Sequence, residues 1–303
     1  MKSHCKTYGS VAALLAVLLA AAVGVTALAG NLTAADSRRD TPTVLATTYP
    51  VYAAAAYIRG STETVTLTRL DGAVSGCLHD YQMSPSDRRG VQEAQVILMN
   101  GAGAESFLYG IVEEEKCVDT SAGLELLCSA HDHDHAAGEH HHEEAYNEHL
   151  WLSPARYQKQ VLAVMTALIA VDGDNEAFYR SNAENYLRHV DAIRQELEAL
   201  AAALEGRPCV LFHDSMAYLA ADLGLDVQLI LSVEGESGLS AADLKQVEAL
   251  AAQYPDLLLL YDTQYALRYE GVAGTAVSIH TAVQEDWLTA MEENVETLKK
   301  VAG

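Results

Sequence analysis

Residues 131–154 read HDHDHAAGEHHHEEAYNEHLWLSP and hold seven of the chain's twelve histidines. Imidazole carries protons near neutral pH and binds transition metals, so acid–base catalysis and metal binding are both open. Six of the seven, His131, His133, His135, His140, His141 and His142, are interleaved with Asp, Glu, Gly and Ala. No apolar period would bury such a stretch, which predicts an exposed loop. Flexible imidazoles bind metal ions, but each binding event must order the chain, and that entropy lowers the affinity. The loop reads as a device for capture and exchange. His149 stands apart from it, just ahead of a helix expected to start near Pro154.

Three more histidines share a different address. His79 lies in CLHDYQMSPSD, in the turn after an expected strand and before a helix. His213 directly follows the apolar run CVLF, and His280 ends the run AVSI. Open α/β sheets gather ligands at the carboxyl ends of their strands. Any one histidine is more often a hydrogen-bonded structural residue; the set of four, His79 and His149 in one half, His213 and His280 in the other, reads as a binding centre. Imidazole suits Zn²⁺, Cu²⁺ or Ni²⁺ better than Ca²⁺ or Mg²⁺. Four imidazoles at about 2.0–2.1 Å close a tetrahedral zinc shell, leaving no open position to activate water. Such a site holds a metal rather than using it. Asp80 and Asp214, each next to a candidate ligand, are candidates to orient the rings. His189 falls mid-helix and His4 in the leader, so neither joins the set.

The segment HHHEEAYNEH invites comparison with a zinc hydrolase. The H-E-x-x-H pattern fails, because His142-Glu143 is followed by Glu144, Ala145 and Tyr146. No G-x-S-x-G occurs either. An enzyme is not expected.

Rigid elements must position these residues. TVLATTY (43–49), ETVTLTRL (63–70) and AQVILMNG (94–101) read as strands, and YPVYAAAAYIRG and SPSDRRGVQEA as helices, the second opened by a capping Ser or Asp. RPCVLF, DVQLIL, DLLLLYD and TAVSIH repeat the pattern later, separated by helical segments. Alternation of this kind marks parallel α/β units. Residues 175–206 contain no Gly or Pro before Gly206, and Phe178, Tyr186, Val190, Ile193, Leu197, Leu200 and Leu204 recur at helical spacing. One helix about 45 Å long, at ~1.5 Å per residue, would tie two lobes together; a hairpin broken near Asn182 or Asn185 is the alternative. The expected fold class is therefore α/β: two lobes, each with a mostly parallel sheet flanked by helices, joined by one long helix. The divisions are an export signal over 1–29, a linker over 30–41, a first lobe over 42–174 carrying the loop 131–142, the connecting helix over 175–206, and a second lobe over 207–303.

Lys2 and Lys6, the apolar VAALLAVLLAAAVGV and ALA before Gly30 make up the expected signal; an uncleaved membrane anchor is the alternative. Cys5 precedes the apolar run, where a lipid-attachment cysteine would not sit. Export leaves Cys77, Cys117, Cys128 and Cys209, which permit three disulfide pairings or buried thiols. The net charge of −23 disfavours nucleic acid and anionic membranes and favours a cationic ligand.

At its histidines the chain resembles the metal-binding proteins of bacterial ABC importers, specifically the zinc-type members of the cluster A-I solute-binding proteins. LATTYPVYAAAAYIRG, HDYQMSPSD, NGAGAESFL, EHLWLSP, FHDSMAYLAADLGL and ESGLSAADL follow in family order from about residue 42. The resemblance implies two lobes with the metal in the cleft between them, capture of Zn²⁺ rather than Mn²⁺ outside the cytoplasm, in the periplasm or on the cell surface, and handover by a monomer to a membrane permease. It also implies His79 and His149 as first-lobe ligands and His213 as the second-lobe imidazole that marks zinc-type members. Two departures stand out. Asn147-Glu148 replaces the family's usual Asp-Pro, and His280 occupies the place of a usual Asp, with Asp262, water or a loop histidine as the alternative fourth ligand. A zinc-buffering or adhesion protein on the same fold, or a manganese importer component, remains compatible with the residues.

Overall fold

The computed structural model describes residues 41–70, 81–129, 146–231, 238–264, 272–281 and 286–303. The expected export signal, the linker through residue 40, the histidine-rich loop, Cys77, His79 and Asp80 lie outside the described residues.

In the first lobe, β1 (Thr43–Ala46) leads into α1 (Tyr49–Arg59), β2 (Thr66–Arg69), α2 (Pro85–Glu93), β3 (Val96–Met99) and β4 (Cys117–Asp119), and the four strands pair in parallel in the order β2-β1-β3-β4. Alternation along the strands covers both faces of this sheet. Val44, Ala46 and Leu98 enter the main core, while Leu45 and Ile97 point the other way and pack with Val91 of α2. Ser84 opens α2 with a reciprocal cap: its hydroxyl accepts from the Asp87 N–H, and the Asp87 carboxylate accepts from the Ser84 N–H.

Two long helices follow, α3 (Pro154–Val171) and α4 (Glu176–Leu204). α4 is unbroken, about 44 Å at ~1.5 Å per residue, and this removes the hairpin alternative. Asn182, a suspected break, instead donates to the Ile58 carbonyl at 3.0 Å, near the end of α1. The inward stripe is Tyr179, Ala183, Tyr186, Val190, Ile193, Leu197 and Leu204. Phe178, expected on that stripe, is 39% exposed; its position is rotated about 80° from Tyr186 at ~3.6 residues per turn, and Tyr179 takes the inward place.

The second lobe repeats the first. β5 (Pro208–Leu211), α5 (Ala217–Asp222), β6 (Asp226–Ile230), α6 (Ala241–Gln253), β7 (Leu258–Asp262) and β8 (Thr275–Ile279) form a parallel sheet in the order β6-β5-β7-β8, closed by α7 (Trp287–Ala302). Ser240 and Asp243 cap α6 as Ser84 and Asp87 cap α2. Cys209, Leu211, Leu258 and Leu260 face the main core, and Val210, Phe212 and Leu259 face Val247 of α6.

One apolar core runs through both lobes, from Val44 and Leu98 across α1, α3, α4 and α7 to Leu258 and Val277, and Pro42–Gly303 forms one compact unit. Its centre is aromatic: Tyr157 stacks on Trp287 with centroids 4.2 Å apart, and its hydroxyl meets Tyr186 Oη at 3.0 Å and donates to the Pro50 carbonyl at 2.9 Å. Burial pushes the Tyr186 hydroxyl well above its usual range. Among the described residues, no helix is long and apolar enough to cross a membrane. Cys117, Cys128 and Cys209 are unpaired thiols, and burial pushes Cys209 up to about 12.

Candidate metal centre

β5 delivers His213. Phe212 keeps the strand's alternation and turns into the outer core, so His213 emerges at the carboxyl edge of the sheet and caps the short turn Asp214–Met216. Its Nδ1 accepts from the Ser215 N–H at 3.0 Å. His149 heads a second short turn, Leu150–Leu152, that leads into α3, and it is 6% exposed. The two imidazoles, one from each lobe, meet edge to face with centroids 5.5 Å apart and planes at 87°. Trp151 packs beside His149 at 5.2 Å and donates from Nε1 to the Thr281 carbonyl at 2.7 Å.

Asp214 lies between the two rings. Its Oδ1 is 3.9 Å from His149 Nδ1 and 3.4 Å from His213 Nδ1, and its Oδ2 accepts from Ser129 Oγ at 3.1 Å. The sequence pointed to this carboxylate as an orienting group, and it stands where such a group would act. In its contact with the Ser215 N–H, a neutral His213 keeps its proton on Nε2. Ligation through Nε2 requires that proton on Nδ1, and Asp214 is the acceptor in reach.

A buried polar turn backs His149. Glu105 accepts from Thr47 Oγ1 at 2.5 Å, from the Asn100 N–H at 2.7 Å and from the Gly101 N–H at 3.1 Å. Asn100 Nδ2 donates to the Glu148 carbonyl at 2.9 Å, immediately before His149. Burial outweighs the donors around Glu105 and raises its pKa from 4.5 to about 7.

The lobes are tied beside the rings. The Tyr218 hydroxyl accepts from the Leu127 N–H at 3.0 Å and donates to the Asn147 carbonyl at 2.9 Å. Arg156 of α3 lies over the Tyr218 ring at 4.8 Å and pairs with Asp222 at 3.3 Å. The segments flanking the histidine-rich loop are held side by side. Cys128 and Tyr146 form an isolated antiparallel bridge, and the Asn147 N–H donates to the Leu127 carbonyl at 2.8 Å.

Of the four histidines singled out by sequence, the structure brings His149 and His213 together, and His79 lies outside the described residues. His280 follows β8 as expected, but its Nε2 is 2.8 Å from the Glu293 carboxylate of α7. The alternative, Asp262, accepts from Thr281 Oγ1 at 2.6 Å and from the Gln264 N–H at 2.9 Å. Among the described residues, no three His, Cys, Asp or Glu side chains gather closely enough to hold one ion. Sequence reasoning placed Asn100 and Glu105 in the family-like turn NGAGAESFL without giving either a role, gave none to Trp151 or Tyr218, and noted Asn147 only as a departure. Buried polar residues in short turns carry no periodicity that would show what they hold.

The family described as zinc-uptake complex component A, periplasmic (ZnuA), matches residues 44–301. The chain is 26% identical over 301 residues to the high-affinity zinc uptake system protein ZnuA of Bacillus subtilis, covering 93% of this chain and 86% of the relative. It is 23% identical over 280 residues to the zinc-binding lipoprotein AdcA of Streptococcus pneumoniae, covering 85% of this chain and 55% of AdcA, so it spans about half of that protein's length. Among solved structures it is similar in fold to a crystal structure of ZnuA, with a TM-score of 0.69 and 22% identity over 87% of this chain and 100% of that one. It is also similar to Zn(II)-bound AdcA from Streptococcus pneumoniae, with a TM-score of 0.69 and 21% identity over 86% of this chain and 58% of that one.

Proposed function

The chain belongs to the ZnuA family of periplasmic zinc-uptake complex components, and on that premise we propose that it captures Zn²⁺ where its two lobes meet and gives it up to a membrane importer. It is an extracytoplasmic transport component, not an enzyme. Family membership implies an ABC permease as the recipient and a monomeric carrier. Zinc is the cargo that suits an imidazole-rich site, and the relatives' names, zinc uptake and zinc-binding, support the same ion.

The observation that carries this reading is the meeting of His149 from the first lobe with His213 from the second, edge to face at 5.5 Å. The third imidazole of this reading is His79, which precedes α2 in the sequence. His280 completes the shell once its Nε2 exchanges Glu293 for the ion, with Asp262 as the other choice. Because the donors sit at strand ends and helix starts, little ordering entropy opposes binding there, in contrast to the loop.

Zinc titration of the full chain and of His79→Ala, His149→Ala, His213→Ala and His280→Ala, in competition with a chromophoric chelator, tests the assignment. Each true ligand should weaken binding by about tenfold or more when removed, at least the loss seen for partners one shell further out. Wild-type affinity in both His149→Ala and His213→Ala sinks the reading.

A further inference from the structure

We propose that Asn147 is a positioning residue that presents His149 to the metal by holding its imidazole in the tautomer whose Nε2 is unprotonated; this rests on His149 being a zinc ligand. Asn147 is 2% exposed and every polar group it has is engaged. Its N–H donates to the Leu127 carbonyl at 2.8 Å, and its own carbonyl accepts from the Tyr218 hydroxyl at 2.9 Å. Its Nδ2 donates to the Asp214 backbone carbonyl at 2.7 Å, and its Oδ1 accepts from the His149 N–H at 2.9 Å. These last two contacts fix which way the amide faces. Exchanging Oδ1 and Nδ2 would set a donor against the His149 N–H and an acceptor against the Asp214 carbonyl.

With its orientation settled, Oδ1 lies 3.1 Å from His149 Nδ1. An acceptor there requires Nδ1 to carry a proton, and a neutral ring then has its lone pair on Nε2. A histidine that binds metal through Nε2 needs this arrangement, with the other nitrogen donating to a fixed partner. Asn147 also crosses from the first lobe to the second, so one side chain sets both the orientation of a ligand and a contact between lobes. A carboxylate at 147 would keep the acceptor facing Nδ1 and lose the donor to Asp214. The His213 Nδ1, by contrast, accepts from the Ser215 N–H at 3.0 Å.

The test uses the full chain as wild type, Asn147→Leu, Asn147→Asp and His149→Ala. Nitrogen-15 shifts of the His149 ring in metal-free protein report its tautomer, and chelator competition reports zinc affinity. Wild type and Asn147→Asp should show the proton on Nδ1, and Asn147→Leu should lose that preference. Zinc binding should weaken about 10–100-fold in Asn147→Leu, with most of the loss recovered in Asn147→Asp. A proton on Nε2 in the wild type, or an unchanged tautomer in Asn147→Leu, overturns the proposal. Unaltered zinc affinity in His149→Ala overturns the ligand assignment instead, and the tautomer comparison still decides what Asn147 does. If Asn147→Leu does not fold, Asn147→Ser, too short to reach Nδ1, takes its place.

Discussion

Glu105 is a carboxyl with three donors around it and almost no water, and burial prevails. Its pKa of about 7 in the fold, against 4.5 as the ordinary value, makes stability depend on pH. The folded state binds the proton more tightly, so the group's contribution is complete below about pH 4.5 and is lost as pH rises through about 7. The full difference is on the order of 3 kcal/mol at ~1.4 kcal/mol per pKa unit. Urea unfolding at about pH 5 and about pH 8 should show wild type losing more stability across that span than Glu105→Gln. Equal losses would mean that the carboxyl is ionised throughout. Glu105→Gln should also be less stable near pH 5, because its amide nitrogen meets either the Thr47 and Asn100 donors or the Gly101 N–H. At this scale the sequence was partly legible. His149 and His213 could be read from their places before a helix and after a strand. Glu105 could be read only as part of the family-like turn NGAGAESFL, since nothing in AGAES says that its carboxyl turns inward.

At the scale of elements, the turn after β3 shows how tightly the site is backed. Gly101 has φ +87°, and a Cβ there would lie 1.9 Å from Asp119 Oδ1 and 2.2 Å from Ser121 Oγ. Asp119 ends β4 and Ser121 lies in the turn after it; Asp119 Oδ1 accepts from the Ser121 N–H and Ser121 Oγ accepts from the Ala102 N–H. Gly101→Ala must therefore displace these hydrogen-bonded side chains and, with Ser121 Cβ only 2.7 Å away, strain the turn that carries Ser121. It should cost more than the ~1 kcal/mol typical of a left-handed position filled by a side chain, read as a lower thermal midpoint. Zinc affinity should fall as well, because the neighbouring Asn100 holds the Glu148 carbonyl; a variant with wild-type stability and affinity would refute this coupling. The inner strands β1, β3, β5 and β7 were legible because burial on two faces gives nearly continuous apolar runs. β4 was not, being three residues, Cys117–Asp119, with no pattern of their own. The stripe of α4 was read correctly from Tyr186 onward and missed at Phe178, because adjacent aromatic residues leave the phase of a helix open by one position. For α3, Pro154 signals the beginning, and Gly173, next after the capping Asp172, is the kind of residue that ends a helix.

Across the whole molecule, the two sheets share one strand order and one capping device, Ser84 with Asp87 and Ser240 with Asp243. The repeated architecture follows from the alternation of strands and helices; the close tie between lobes does not, because Tyr218 and Arg156 act over distances that local pattern does not encode. The bridge between Cys128 and Tyr146 closes the base of the histidine-rich loop. Deleting residues 131–142 should therefore leave the fold and one tightly held zinc ion intact while removing additional, weaker equivalents. Metal analysis of both forms after extensive dialysis checks this, and loss of the tight ion would place the permanent site in the loop. The apolar core shared by the lobes has a mechanical consequence. Prising the halves apart would bring Tyr157, Trp287 and the inward stripe of α4 into water, at a cost comparable to the whole ~5–15 kcal/mol by which a protein of this kind is folded. A carrier built this way has no bivalve to swing open. Release of an ion held at the rim would then call for rearrangement of the segments that bear the donors, with the frame behind them kept still.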